Sequence, residues 1–329
     1  MDSGGEQGAR IIDFERSYPW SGRGGADLVL QATALPDTED PPETPPPSPA
    51  PAPPKLFTTG TTLVTAGALL AGALEGLVAP LEHGFQSFHV TDEEWFGRNT
   101  YAGGADKASH FVISSGISRA LFDVYQLQGH TVDQSFTLAL ATTFLVGTFV
   151  EIEDAITVYG FSFQDLTADV LGSTAGLLIN RNHLQDLLGI RVGMANTDIP
   201  PEAVGSSEAS IGRSYSNEIY GADLKLGGLI TRLHGKPGIS RFFLTSFVYF
   251  TKGFGYEPPL PTRYQESGVE VGLNFPEILK AAGVNDTTWW GTGLLAVFNF
   301  FRIPFTQVGI YYNLHDHKWY GPGAPYHYY

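Results

Sequence analysis

The sequence predicts an α+β protein: a membrane-associated bundle of about four helices, followed by a small, aromatic-rich antiparallel sheet. Three observations predict it. Apolar and small residues run long between residues 55 and 190, as buried or lipid-facing helices require. Beyond Arg191 the pattern changes to period two, with aromatic residues between Gly and Pro turns. Charged residues make up only 16% of the 329 positions and aromatics 13%. Soluble domains carry about 25% charge, and aromatic rings collect at membrane interfaces.

Residues 1–54 form the first of three regions. They are acidic and end in the proline tract PPETPPPSPAPAPP. Such a segment cannot bury a core and is expected to be a disordered, extended linker. No ordinary cleavable signal peptide is visible at the start. Residues 55–190 are the expected helical core. Its first apolar run, 56–81, has one charge, Glu75, and a closing Pro80. It is long enough to cross a bilayer, so an uncleaved anchor is expected there, with a buried core helix as the plainer reading. Three helices follow, at about 106–126, 133–159 and 163–180. Residues 191–329 are the expected β-rich region. Its strands are placed at 218–226, 242–251, 268–274 and 307–313, with short helices near 275–283 and 291–301.

Composition excludes several functions. The net charge of -15 argues against a nucleic-acid partner, which needs clustered Lys and Arg. It leaves apolar contact with membrane lipid as the main route to a membrane. With no cysteine there are no disulfides, thiolate metal sites, Cys nucleophiles or lipidated Cys. A Gly291-Thr-Gly293 fingerprint has no strand before it and reads as chance. His315-Asp316-His317 reads as a polar turn.

The residues that could carry chemistry lie on three helices. Asp106, His110 and Ser114 recur every four positions and share a face, with Lys107 beside them. Glu151 and Asp154 are three apart. Asp165 and Asp169 are four apart, and Gly172 and Gly176 continue their face as a small-xxx-small pair that permits close helix approach. Each residue has a structural explanation too: Asp106 as an N-cap, Ser162 to Asp165 as a capping box, Lys107 as a neutralising partner, and His110 as a core histidine. Either the group is a packing network, or it is a site. In the site reading His110, Glu151, Asp154 and Asp169 would be acids, bases or metal ligands, and Lys107, Asp106, Ser114 and Asp165 would contact the ligand. Cofactor and metal stay unknown at this stage.

The stretch Tyr101-Ala-Gly-Gly-Ala-Asp106-Lys107-Ala-Ser-His110-Phe111 resembles the Asp-Lys-x-x-His-Phe motif of the YfiM-like lipoproteins, a group that looks related to the VanZ-like membrane proteins. Glu151-x-x-Asp154 and the block from Gly160 to Gly176 are similar to a second motif of the same families. The resemblance covers residues 85–180 and, more loosely, 263–279 and 298–312. It implies a bacterial cell-envelope protein of unassigned activity. Three functions remain: an envelope scaffold, a membrane-embedded enzyme acting on an envelope lipid or lipid-linked sugar, and a module whose C-terminal sheet meets an envelope protein or glycan.

Overall fold

The computed structural model describes residues 55–77, 80–81, 84–194, 215–216, 218–254 and 263–323. The segment 1–54, expected to be a linker, lies outside them. The described chain is α+β, with seven α-helices and a six-stranded antiparallel sheet among the described residues.

Helix α1 (Thr59–Gly76) starts where Thr58 Oγ1 accepts the Thr61 amide at 3.1 Å. Its 18 residues are about 27 Å long at 1.5 Å per residue. Only Thr61, Gly72 and Gly76 are buried. Hydrogen bonds tie it down: Thr61 Oγ1 to His130 Nε2 at 2.7 Å, and Thr65 Oγ1 to the Tyr125 hydroxyl at 2.8 Å. The expected anchor at 56–81 is therefore a helix of the bundle. Among the described residues, one helix is long and apolar enough to cross a membrane, and it is α3 (Val132–Asp154). The glycines and threonines of α1 explain the difference, because they are too weakly apolar to carry a span.

Helix α2 (Ala105–Leu127), α3 and α4 (Phe163–Arg181) form the rest of the bundle. Thr131 and Gln134 cap α3 reciprocally. Gly172 and Gly176 of α4 lie against the backbone carbonyls of Phe111 and Ser115 on α2. A side chain at either position would push the two helices apart. Strand β1 (Val90–Thr91) pairs in parallel with β2 (Phe161–Ser162), which pins the approaches to α2 and α4 together.

The sheet is a meander in the order β3 (Leu188–Met194), β4 (Glu218–Lys225), β5 (Phe243–Lys252), β6 (Tyr264–Leu273), β7 (Gln307–Asn313) and β8 (Lys318–Gly323). Helix α5 (Leu226–His234) follows β4, and α6 (Phe275–Ala281) and α7 (Trp289–Phe300) separate β6 from β7. The expected strands at 218–226, 242–251 and 307–313 agree closely with β4, β5 and β7. The expected boundary at 190 falls inside β3. Bundle and sheet share a core in which Ala105, Val112 and Ile179 meet Ile190, Val192 and Tyr220.

The sheet departs from the usual pattern of a half-exposed sheet, apolar inside and polar outside. One face exposes Leu224, Phe247, Val269, Val271, Val308 and Ile310. The alternate, buried face mixes Asp223, Ser246, Glu270, Gln307 and Asn313 with a core of Ile219, Val248, Phe250 and Tyr311. An apolar outer face is also found on strands that meet lipid.

Candidate functional site

Gly104 precedes α2 with φ 86°, and the Phe96 ring occupies the place of a Cβ. Both facts call for glycine. Asp106 therefore sits inside the first helical turn, not at the cap expected for it, and its carboxylate turns inward. Lys107 Nζ lies 2.9 Å from Asp106 Oδ2 and 2.9 Å from Asp165 Oδ1, and also donates to Glu93. Tyr215 donates its hydroxyl proton to Asp106 Oδ1 at 2.7 Å.

One turn along α2, His110 Nδ1 is 3.2 Å from Asp169 Oδ1, and Nε2 is 3.7 Å from Asp106 Oδ1. Another turn on, Ser114 Oγ donates to Asp169 Oδ1 at 2.5 Å. From α3, Glu151 Oε2 accepts the Ser162 amide at 2.8 Å. Ser162 caps α4, its Oγ accepting the Asp165 amide at 3.2 Å. The expected capping box is thus half formed. Asp165 spends its carboxylate on Lys107, and Glu151 takes the amide that Asp165 would have covered.

These side chains line or adjoin a cavity of about 440 Å³. Asp106, His110, Ser114, Asp154, Asp165 and Asp169 face its polar end, while Ala68, Ile113, Ile117, Val146 and Val150 form its apolar wall. Glu151 is buried beside it, with a ligand atom within 4.8 Å of one from His110 and one from Asp169. All eight residues singled out from the sequence therefore fall at one place. Sequence reasoning missed Glu93 and Tyr215. Glu93 lies on an irregular loop with no periodicity to mark it, and Tyr215 arrives from 109 positions away.

The electrostatics follow from burial and crowding. Burial opposes the charge of Lys107, but Asp106, Asp165 and Glu93 outweigh it and push its pKa above the usual lysine range. Burial likewise opposes charge on His110, and Asp169, Asp165 and Asp106 reverse that, raising it well above an ordinary histidine. For Asp106, burial is outweighed by Lys107 and His110, which bring it down to about 2. Glu93 goes the other way, to about 8, because burial, Asp106 and Asp165 all favour its protonated form over the pull of Lys107. With its ammonium held by the acidic side chains of Asp106, Asp165 and Glu93, Lys107 has no donor left for an anionic head group, the role suggested for it by its position. Three carboxylate oxygens of the cluster, Glu151 Oε1, Asp165 Oδ1 and Asp169 Oδ2, are buried without a hydrogen-bond partner among the described residues; Asp165 Oδ1 has the Lys107 ammonium 2.9 Å away, and the other two have no such cation.

No curated protein and no solved structure matches the chain. Residues 92–181, which contain α2, α3, α4 and all eight candidate residues, match the family model described as Predicted periplasmic lipoprotein (DUF2279). The match supports a cell-envelope protein of unassigned activity, and it falls on the part of the chain that builds the cavity.

Proposed function

We propose that this is a membrane-seated envelope protein whose cavity binds an amphiphile, either an envelope lipid or a lipid-linked sugar, with the polar head among the acids and His110. The observation that carries the proposal is the two-ended cavity, with acids, serine and histidine at one end and apolar side chains of α1, α2 and α3 at the other. A polar network that only held helices together would close on itself; this one surrounds open space. The surroundings support a membrane seat. Leu63, Leu70 and Leu74 of α1 and Phe144, Leu145 and Phe149 of α3 are exposed, as is the apolar outer face of the sheet. The match of residues 92–181 to a family described as a predicted periplasmic lipoprotein supports a place in the cell envelope.

A catalytic version has one observation in its favour. The His110 imidazole is held by the Asp169 carboxylate at 3.2 Å, the arrangement that orients an acid–base group. In that version His110, whose charged form the surrounding acids favour, would act as a general acid and give its proton to a leaving oxygen of the bound head group.

Native mass spectrometry of the full chain, gently extracted from its host membrane, tests the binding reading. An amphiphile should co-purify with the wild type, and Val146→Trp, which fills the apolar end, should lose it. A chain that is monodisperse without detergent and carries no amphiphile would overturn the proposal.

A further inference from the structure

We propose that His110, Glu151 and Asp169 bind a divalent transition-metal ion, zinc or manganese, in the wall of the cavity. The site stands whether or not an amphiphile enters. One ligand atom from each residue lies within 4.8 Å of the other two. Ligands about 2.1 Å from a common ion need only small side-chain rotations from that arrangement.

Proximity alone would not distinguish a metal site from a crowd of acids. The free oxygens do. Glu151 is 1% exposed and Asp169 3%, and Glu151 Oε1 and Asp169 Oδ2 have no partner among the described residues. Leaving such groups bare in a protein interior is costly. Their other oxygens are already fixed, Glu151 Oε2 by the Ser162 amide and Asp169 Oδ1 by Ser114. That is how outer-shell bonds orient metal ligands, leaving one oxygen for the ion. His110 Nδ1, now 3.2 Å from Asp169 Oδ1, is the nitrogen on this side that would exchange that contact for the ion. Gly147 clears the space, since a Cβ there would stand 2.4 Å from Asp169 Oδ2.

A second trio, Asp106, His110 and Asp165, passes the same distance test. Lys107 already neutralises both of its acids at 2.9 Å, so the cation belongs on the other side of His110. The donor set names the class. One imidazole with two carboxylates suits zinc, manganese or iron(II), whereas calcium and magnesium prefer all-oxygen sites. Three protein ligands leave a coordination position for water or a bound head group, and both His110 and Asp169 border the cavity.

The test uses the full chain in detergent, stripped with a chelator and titrated with zinc or manganese alone, followed by calorimetry and elemental analysis. One equivalent should bind. His110→Ala and Asp169→Asn should each weaken binding at least tenfold, while Asp165→Asn should leave it within about threefold. Cobalt(II) in the wild-type chain gives a readout that needs no variant to fold, namely the visible bands of an N/O-ligated ion. No stoichiometric binding, a featureless cobalt spectrum, or loss of the metal in Asp165→Asn but not in Asp169→Asn would overturn the proposal.

Discussion

Inside the sheet, Arg191 reaches Asp223 through two nitrogens, Arg302 meets Glu270 at 2.5 Å, and Ser246 and Tyr311 bond the same two acids at 2.6 and 3.0 Å. Between the helices, Lys107 and His110 face Glu93, Asp106, Glu151, Asp165 and Asp169, and two carboxylate oxygens are left over. Both regions bury charge. In the sheet each of these acids has an arginine and a hydroxyl, and glycines line the same face, so every one of these acids is answered, while Arg302 Nη1 and Gln307 Nε2 keep no hydrogen-bond partner among the described residues. In the bundle acids outnumber cations around open space. The difference teaches how to separate a structural network from a site, by asking whether every buried acid is answered and whether there is room for something more.

The largest effects should come from the sheet network. Arg302→Met or Arg191→Met would strand a buried carboxylate and should cost about 3–5 kcal/mol, read by chemical denaturation in detergent. His110→Ala, on the wall of a cavity, should cost less than about 1.5 kcal/mol, the smaller end of single-residue effects. Equal losses in the two regions would break the comparison.

An intermediate effect should come from the helix contact that frames the open region. A Cβ on Gly172 would lie 2.0 Å from the Phe111 carbonyl oxygen, and α2 cannot yield without moving Lys107 and His110. Gly172→Ala should destabilise by about 1–3 kcal/mol, the usual cost of overpacking, and should also loosen whatever the cavity holds. A variant as stable as the wild type would mean that α2 and α4 can slide apart freely.

Much of this was legible in the sequence, for a physical reason. Helical periodicity projects Asp106, His110 and Ser114 onto one face and Asp165 and Asp169 onto another, and Gly172 and Gly176 mark where those faces meet. The helix ends near 105, 132 and 163 follow from caps that can be read locally, such as Thr131 with Gln134. What was hidden depends on distant pairing. Strand β3 (LGIRVGM) has both faces buried over most of its length, so it shows no alternation, and the boundary read from the sequence at 190 cuts through it. Strand β8 has little periodic signal in Lys318–Gly323. The exposed apolar face of the sheet is present in the alternation of β6 and β7, but which side is buried depends on how six strands come together. Glu93 and Tyr215 carry no local mark at all.

The smallest expected effect lies in the titration of Glu93, and it probes the open region from the side of Lys107. Its folded pKa is raised from 4.5 to about 8. Between those values the folded chain keeps a proton that the unfolded chain has released. The stability this contributes is fully present below about pH 4.5 and is lost as pH rises through about 8. Asp106 works in the opposite sense at the acid end. Depressed to about 2, it contributes stability above its unfolded value of 3.8 that is lost as pH falls toward 2. The wild type should therefore be most stable in mildly acidic solution and lose on the order of 1–3 kcal/mol between pH 5 and 8. Glu93→Gln keeps the shape and removes the titration, so its stability should fall less over that range. A residual slope should persist, because His110, raised well above 6.5, also gives up its proton as pH rises. Denaturation midpoints of both proteins at three pH values, with metal removed by chelation, measure the difference. Parallel curves would show that Glu93 is ionised throughout, and that the acids around Lys107 are answered in some other way.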